Sequence, residues 1–461
     1  MKVFSHYFPQ LTLQQAVFDV ILLFIAVIAA IALQPSEFAV SWGDTIGAAA
    51  LFAVLMIVIN SVMGLYRPSG RPGSLRGAWM KIGFSLLISL PLAWLTFTLI
   101  GNEVFASTGV QLSIAILLSL VLAMRAIVNQ RNHTALFESR VLIIGTGEDA
   151  RQVEYSLTHP VQRGVQVIGF LPSGKEFEAV VDTSRVLQAP GGLLSLVESR
   201  RVNQIIVAVK ERRGGALPIR ELLDCKLAGV KVFDLSSFFE RTHGQVPLDS
   251  LKASWLIYGD GFAQGWLRST VKRIFDIAVA IALLILALPV MLITALLIVI
   301  EDGAPVFYRQ ERVGERGRIF KVIKFRSMRR DAEGDGKPRW AQSNDDRVTR
   351  VGRVIRKLRI DELPQLLNVL KGEMSLVGPR PERQYFVDQL AKEIPFYAVR
   401  HCVKPGVTGW AQVRYPYGAS VEDAVQKLQY DIYYVKNHTL LLDTLILFET
   451  VRVVLTGEGA Q

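Results

Sequence analysis

Cysteine is almost missing from this chain: Cys225 and Cys402 are the only two among 461 residues. Two thiols so far apart make neither a disulfide framework nor a zinc site, and they suit a reducing compartment. Histidine is scarce as well, six in all, with no metal-ligand spacing. Redox-metal chemistry is therefore not expected. Charge is absent over long stretches, and where it returns the balance is positive, +11 net, beside 51% apolar residues. This is too apolar for an ordinary soluble protein and too charged for an all-membrane transporter, so a mixed architecture of about three domains at ~150 residues each is expected. The positive excess suits nucleic acid, acidic lipid or phosphorylated substrates, and its position along the chain has to choose among them.

Lysine and arginine are missing from two of the N-terminal connections, Gln34 to Thr45 and Gly101 to Gly109, whereas Tyr66 to Lys81 carries Arg67, Arg71, Arg76 and Lys81. These connections join four apolar segments, Ala16 to Leu33, Ile46 to Leu65, Ile82 to Ile100 and Val110 to Val128. Each has about the ~20 residues a helix needs to cross hydrocarbon. The first runs well past the length of a signal-peptide core and reads as an anchor that stays. Arg125, Arg131 and Arg140 follow the fourth segment. By the positive-inside rule, residues 1–135 are expected to be a four-helix transmembrane domain with both ends cytoplasmic. Asp19, near the cytoplasmic edge of the first span, reads as interfacial rather than as part of a transport path.

Residues 136–262 change character. "SRVLIIGTGEDA" reads as a strand, a glycine turn and a helix start, and "QIIVAV" and "VKVFDL" read as further strands, which predicts a Rossmann-like α/β domain. Gly145, Gly147 and Ala150 match G-x-G-x-x-A, a spacing that lets backbone approach a pyrophosphate at a helix N-terminus. The match is incomplete. The next strand, "VQVIGF", runs into Leu171, Pro172, Ser173 and Gly174 without the carboxylate that would hold a ribose, and no tyrosine is followed four residues on by lysine. Nicotinamide redox chemistry is thus disfavoured, leaving a scaffold or a regulatory nucleotide site.

From Ile277 to Ile300 the chain again lacks any charge. Twenty-four helical residues would reach ~36 Å, enough to cross a bilayer. Both flanks are basic, however: Arg268, Lys272 and Arg273 upstream, and Arg309, Arg312, Arg316, Arg318 and Lys321 among the cations downstream. A full crossing would put one cluster on the wrong face. Pro289 lacks an N–H and crowds the carbonyl of Ile285, so it is expected to bend or break the helix midway. The prediction is a re-entrant helix over about 271–300 whose cationic collars lie among acidic headgroups of inner-membrane lipids.

Beyond it, "DELPQLLNVLKG" predicts a helix that starts at Asp361 and Glu362, carries Pro364 in its first turn and stops at Gly372. Asp361 as a simple cap is one reading. Adjacent carboxylates repel, though, and persist most easily where cations are shared; Arg356, Lys357 and Arg359 lie within a turn, and a divalent metal would complete the set. With Lys324, Arg326 and Arg380 the same cations suit a diphosphate and a phosphoryl group in transfer. An apolar C-terminal run, Leu440 to Leu455, reads as an interfacial or core helix.

"KFRSM", "DELPQLLNVLKGEMSLVGPRPE" and "KPGVTGWAQV" resemble the bacterial sugar transferase family, monotopic polyprenyl-phosphate sugar-1-phosphate transferases. The resemblance covers roughly Trp266 to Gly457, and the whole chain looks like the long form of that family. It implies a catalytic α/β domain over 263–461, a UDP-sugar donor, an undecaprenyl phosphate acceptor, release of UMP, Mg²⁺, and a place on the cytoplasmic face of the bacterial inner membrane. By the motif match Asp361 would be the nucleophile, forming an aspartyl-phosphosugar intermediate, with Glu362 its partner and both near the metal. Arg356 and Arg380 would fall on the family's phosphate-binding arginines. Arg414 follows "GWAQV" where the family's usual "GR" is replaced by "RYPYG". Nucleic acid is not an expected partner, and a homodimer is an expectation borrowed from the long members. The competing reading from another class is a non-catalytic membrane protein that senses a nucleotide or assembles a polysaccharide exporter.

Overall fold

The computed structural model describes residues 2–3, 6–7, 19–22, 24–25, 42–62, 83, 87–88 and 91, and then 139–456 except 159–164, 174–179, 210–216, 249–250, 252–260, 263–264, 330–346, 416–417 and 419. Of the four predicted spans, the second falls largely within a 21-residue helix, α1 (Trp42–Val62). The other three lie largely or wholly outside the described residues. Two compact units are present, essentially Phe8–Phe238 and Phe239–Gln461.

In the first unit, four short runs rich in Val and Ile form the strands read from sequence: β1 (Ser139–Ile144), β2 (Val165–Leu171), β3 (Gln204–Val207) and β4 (Lys231–Asp234). They pair in parallel in the order β2-β1-β3-β4. Helices α2 (Glu148–Thr158), α3 (Leu193–Ser199) and α4 (Ile219–Leu227) connect them. Parallel neighbours need such crossovers because a tight hairpin cannot join them. Leu142, Ile144, Ile205 and Val207 are buried against Leu193, Val197 and Cys225.

The second unit begins with a segment whose Val246 and Leu251 enter its main core. Its longest element is α5 (Trp266–Asp302), 37 residues, long and apolar enough to cross a membrane, with only 11% of its most apolar stretch buried. That exposure is wrong for a soluble core helix and right for a lipid-facing one. The helix continues through Pro289, so the proline is not the break in helical structure that its residue type predicts. A proline removes one i→i−4 bond, and a neighbouring side chain, Thr294, donates to the Val290 carbonyl at 2.7 Å within the same stretch.

Both ends of α5 are tied to this unit. Near its start Arg273 donates to the carbonyls of Val369 and Leu370 at 2.5 and 2.7 Å, and Lys272 pairs with Asp276 and Asp443 at 2.8 and 2.9 Å. At its end Glu301 accepts from the amides of Arg350 and Val351, and Arg326 donates to the carbonyls of Asp302 and Gly303. Between them, no residue from Ile281 to Ile293 is buried.

An antiparallel pair, β5 (Phe307–Val313) and β6 (Ile319–Phe325), follows. Then come α6 (Arg350–Lys357), a 3₁₀ turn at Ile360–Glu362, α7 (Gln365–Lys371), β7 (Ser375–Val377), α8 (Gln384–Glu393), β8 (Gly406–Thr408), α9 (Trp410–Arg414), α10 (Val421–Asn437) and α11 (Leu440–Thr456). β7 and β8 pair in parallel, and they touch so closely that a Cβ on Gly378 or Gly409 would lie 2.3 or 2.2 Å from backbone oxygen. Only glycine permits that approach. Leu366, Val369, Leu376, Tyr433 and Tyr434 are among the residues filling the core behind these strands.

Candidate active site

The site is built where β6 meets the turn before α7. In β6 the strand alternation puts part-exposed Lys324 on the same face as buried Phe320 and Val322, with Ile323 and Phe325 buried on the other face. Asn368 locks this strand to α7: its Oδ1 accepts from the Ile323 amide at 3.0 Å, and its Nδ2 donates to the Lys321 carbonyl and to Glu373 at 2.8 and 2.7 Å. The amide is fully buried and satisfied on both sides. Arg359 adopts a left-handed conformation, φ 58°, which turns the chain sharply after α6 into the Ile360–Glu362 turn. A non-glycine residue there costs of order 1 kcal/mol or more, and such strain collects at functional sites.

Asp361 and Glu362 are both buried, 9% and 8% exposed. Helix α7 has Pro364 at its N-cap and no side-chain cap bond, so Asp361 is not a cap. The two carboxylates differ sharply. Glu362 Oε1 accepts from Lys324 Nζ and from Arg380 Nη2, each at 2.9 Å. Asp361 makes no hydrogen bond or ion pair with any described residue. Burial alone would raise the Glu362 pKa, but Lys324, Arg380 and Arg359 outweigh it and hold the group well below the carboxylate range. Burial and then the Glu362 charge raise Asp361, against the pull of the same three cations. Burial likewise lowers Lys324, with Glu362 opposing. One acid is thus locked as an anion between cations, while its neighbour keeps its oxygens and a more basic carboxyl.

Of the cations read from sequence, Lys324 and Arg380 converge on the pair, whereas Arg326, Arg356 and Arg414 do not. Arg326 is bound to the end of α5 and pairs with Asp302 at 3.3 Å. Arg356 sits in the last turn of α6 without a bond to either carboxylate; of these two neighbours it is Arg359, three residues on, whose charge they feel. Arg414 lies with its guanidinium 4.2 Å from the centre of the Trp410 ring and 4.0 Å from Glu449, and burial lowers its pKa to about 10.

Lys324 and Arg380 also line a small open cleft together with Arg312, Val322, Gln365, Pro381 and Gly406. Arg312 donates to the Pro381 carbonyl at 3.2 Å and lies 3.5 Å from Glu382. In the sequence Arg312 is one cation in a long basic run, and Gln365 carries no signal beyond its place after the paired acids. No group of three or more His, Cys, Asp or Glu residues among the described residues is arranged to hold a metal by itself. Both Asp361 oxygens and Glu362 Oε2 remain as hard donors, which fits Mg²⁺, an ion bound by one or two carboxylates plus water and substrate phosphate.

Two juxtaposed carboxylates of unequal basicity beside a cationic cleft suit chemistry on a phosphate, and comparison with known proteins supplies the family. The bacterial sugar transferase family model matches residues 267–457. The chain is 33% identical over 355 residues to the UDP-galactose-lipid carrier transferase of Erwinia amylovora, the match covering 71% of each protein. It is 48% identical over 242 residues to the UDP-N-acetylgalactosamine-undecaprenyl-phosphate N-acetylgalactosaminephosphotransferase of Aeromonas hydrophila, covering 52% of this chain and 56% of that relative. Over 191 residues, 41% of this chain and 71% of the relative, it is 44% identical to the UDP-glucose:undecaprenyl-phosphate glucose-1-phosphate transferase of Caulobacter vibrioides. The chain belongs to the bacterial sugar transferase family.

Proposed function

We propose that the protein transfers a sugar-1-phosphate from a UDP-sugar to undecaprenyl phosphate, releasing UMP, through a covalent intermediate on Asp361. The observation that carries this reading is the asymmetry of the two acids. A nucleophile needs a free lone pair and appreciable basicity, and Asp361 has both, whereas the charge of Glu362 is committed to Lys324 and Arg380.

An Asp361 oxygen attacks the phosphorus that carries the sugar, and the bond from that phosphorus to the bridging oxygen breaks. UMP departs with the bond pair, leaving an acyl phosphate to the sugar. A phosphate oxygen of the acceptor then attacks the same phosphorus, frees the Asp361 carboxylate and yields the diphosphate-linked lipid. Lys324 and Arg380, with Arg312 in the same cleft, neutralise the diphosphate and the charge that shifts to the leaving phosphate. Mg²⁺, held by Asp361 and Glu362, would supply further neutralisation of phosphate charge.

The donor is water-soluble and the acceptor phosphate lies at headgroup level, so the catalyst has to work at the membrane surface. The reading of α5 as re-entrant, with its catalytic unit on the cytoplasmic face, is supported by the attachment of both helix ends to that unit and by the exposed apolar residues between them. The relatives named above act on galactose, N-acetylgalactosamine and glucose donors by their names, so the sugar here is one of the common UDP-linked hexoses or N-acetylhexosamines. UMP release from a panel of UDP-sugars, with undecaprenyl phosphate and with or without Mg²⁺, tests the proposal. One donor should turn over in a metal-dependent manner, and silence across the panel with protein that binds UDP would overturn it.

A further inference from the structure

Behind the cationic cleft lies a buried charge that touches neither carboxylate. Arg400 is 6% exposed, and its guanidinium donates in three directions. Nη2 reaches the backbone carbonyl of Arg380 at 2.9 Å, Nη1 reaches the Tyr397 hydroxyl at 2.7 Å, and Nε and Nη2 reach Asp431 Oδ2 at 3.1 and 2.9 Å. Asp431 is itself 2% exposed, on α10. Burying two opposite charges is costly, and replacing such a pair by apolar residues is often neutral or stabilising. Stability alone gives little reason for the pair.

The segment it contacts gives a better one. Arg380 stands between Pro379 and Pro381. A residue before proline is confined to extended backbone, and neither proline offers an N–H. The loop is therefore stiff but poor in donors, and the Arg380 carbonyl needs a partner from elsewhere when buried. Arg400 supplies it. The Pro379 carbonyl accepts from the Gly406 amide at 3.0 Å, so successive carbonyls of this loop are fixed from β8 and from Arg400. Side-chain direction follows from the backbone, and the Arg380 side chain leaves this loop to meet Glu362.

We infer that Arg400, braced by Asp431 and Tyr397, is a positioning residue that fixes the backbone of Arg380 so that its guanidinium addresses Glu362 and the donor's diphosphate. The inference rests on the reading of the cleft as a nucleotide-diphosphate site. It assigns a role in anion binding to three buried residues, Tyr397, Arg400 and Asp431.

A binding cycle tests it. UDP binding in the presence of Mg²⁺ is measured by calorimetry on the full chain in detergent, for the wild type, Arg400→Lys, Arg380→Lys and the double variant. Lysine keeps the charge opposite Asp431 but cannot donate in three directions. Arg400→Lys should weaken UDP binding about 10- to 100-fold, the scale of a small misplacement in a positioned site. Because Arg400 acts through Arg380, the double variant should bind within about twofold of Arg380→Lys alone. A double loss equal to the product of the single losses would overturn the inference. Tyr397→Phe, cycled against Arg380→Lys in the same way, gives the same test should Arg400→Lys fail to fold. Sugar-phosphate transfer measured in parallel separates the two claims: an intact binding cycle without turnover of any UDP-sugar would strike the proposed reaction and support the positioning role.

Discussion

Two turns in this chain carry residues that suggest phosphate chemistry, and they are built in opposite ways. The turn after β1 has the glycine spacing, with Gly145 at φ 125°, yet the Gly145 amide is already bonded to the Leu171 carbonyl at 2.8 Å, and the Thr146 carbonyl accepts from Val180. Its nearest ion pair, Arg151 with Glu148, is on the surface. The turn before α7 lacks glycine altogether and puts Arg359 in the conformation glycine would favour. There two carboxylates are buried, one of them bracketed by cations. Backbone permissiveness by itself makes a turn; unequal, partly desolvated charges make a reactive one.

The contrast is sharpest for Asp361→Asn. It keeps shape and hydrogen-bonding capacity but removes the proposed nucleophile, so UMP release should fall by about 10⁴-fold or more, as for essential nucleophiles elsewhere. Circular dichroism should stay that of the wild type. Glu362→Gln should act on the fold as well, because it leaves Lys324 and Arg380 partly buried without their shared anion; a loss of about 3 kcal/mol is expected in denaturant unfolding. Asn368→Ala severs β6 from α7 and exposes no charge, which should cost about 1–3 kcal/mol in the same measurement and lower turnover by moving Lys324.

The pH profile gives a subtler separation. In the proposed reaction attack requires ionised Asp361, whose carboxyl is raised by burial and by Glu362, so the acidic limb of kcat/KM should lie above the usual ~3.9. Removing the Glu362 charge should move that limb to lower pH, and Lys324→Met should move it higher. The sign for stability is opposite in the two acids. Glu362 contributes stability above its unfolded value of 4.5 and loses it as pH falls, whereas the raised Asp361 favours the fold at lower pH and disfavours it as pH rises through its folded value. At the other turn, Arg151→Ala should leave both the melting temperature and turnover unchanged, since that pair is solvent-exposed.

What could be read from residues alone followed how locally the information is written. The four parallel strands announce themselves through runs of Val and Ile, and Asp361, Glu362 and the stop at Gly372 stand within one short motif. Which cations turn inward is another matter. Arg356 and Arg359 lie three apart in a basic run, and only the left-handed kink at Arg359 decides which one the carboxylates feel. Arg326, two residues from Lys324, is taken by the end of α5, and Arg414 by Trp410. Arg400 and Asp431 stand 31 residues apart with no pattern linking them, because their pairing is a product of packing. Pro289 does not interrupt the helical structure of α5, because a proline removes only one bond of the helix ladder.

The most direct test of the unequal carboxylates is mass spectrometry of the full chain after incubation with its UDP-sugar and Mg²⁺ in the absence of lipid acceptor. The expected result is a sugar-phosphate adduct on the peptide containing Asp361, lost on adding undecaprenyl phosphate and never formed by Asp361→Asn. Stoichiometric UMP release with Asp361 unmodified, or an adduct on Glu362 instead, would contradict it.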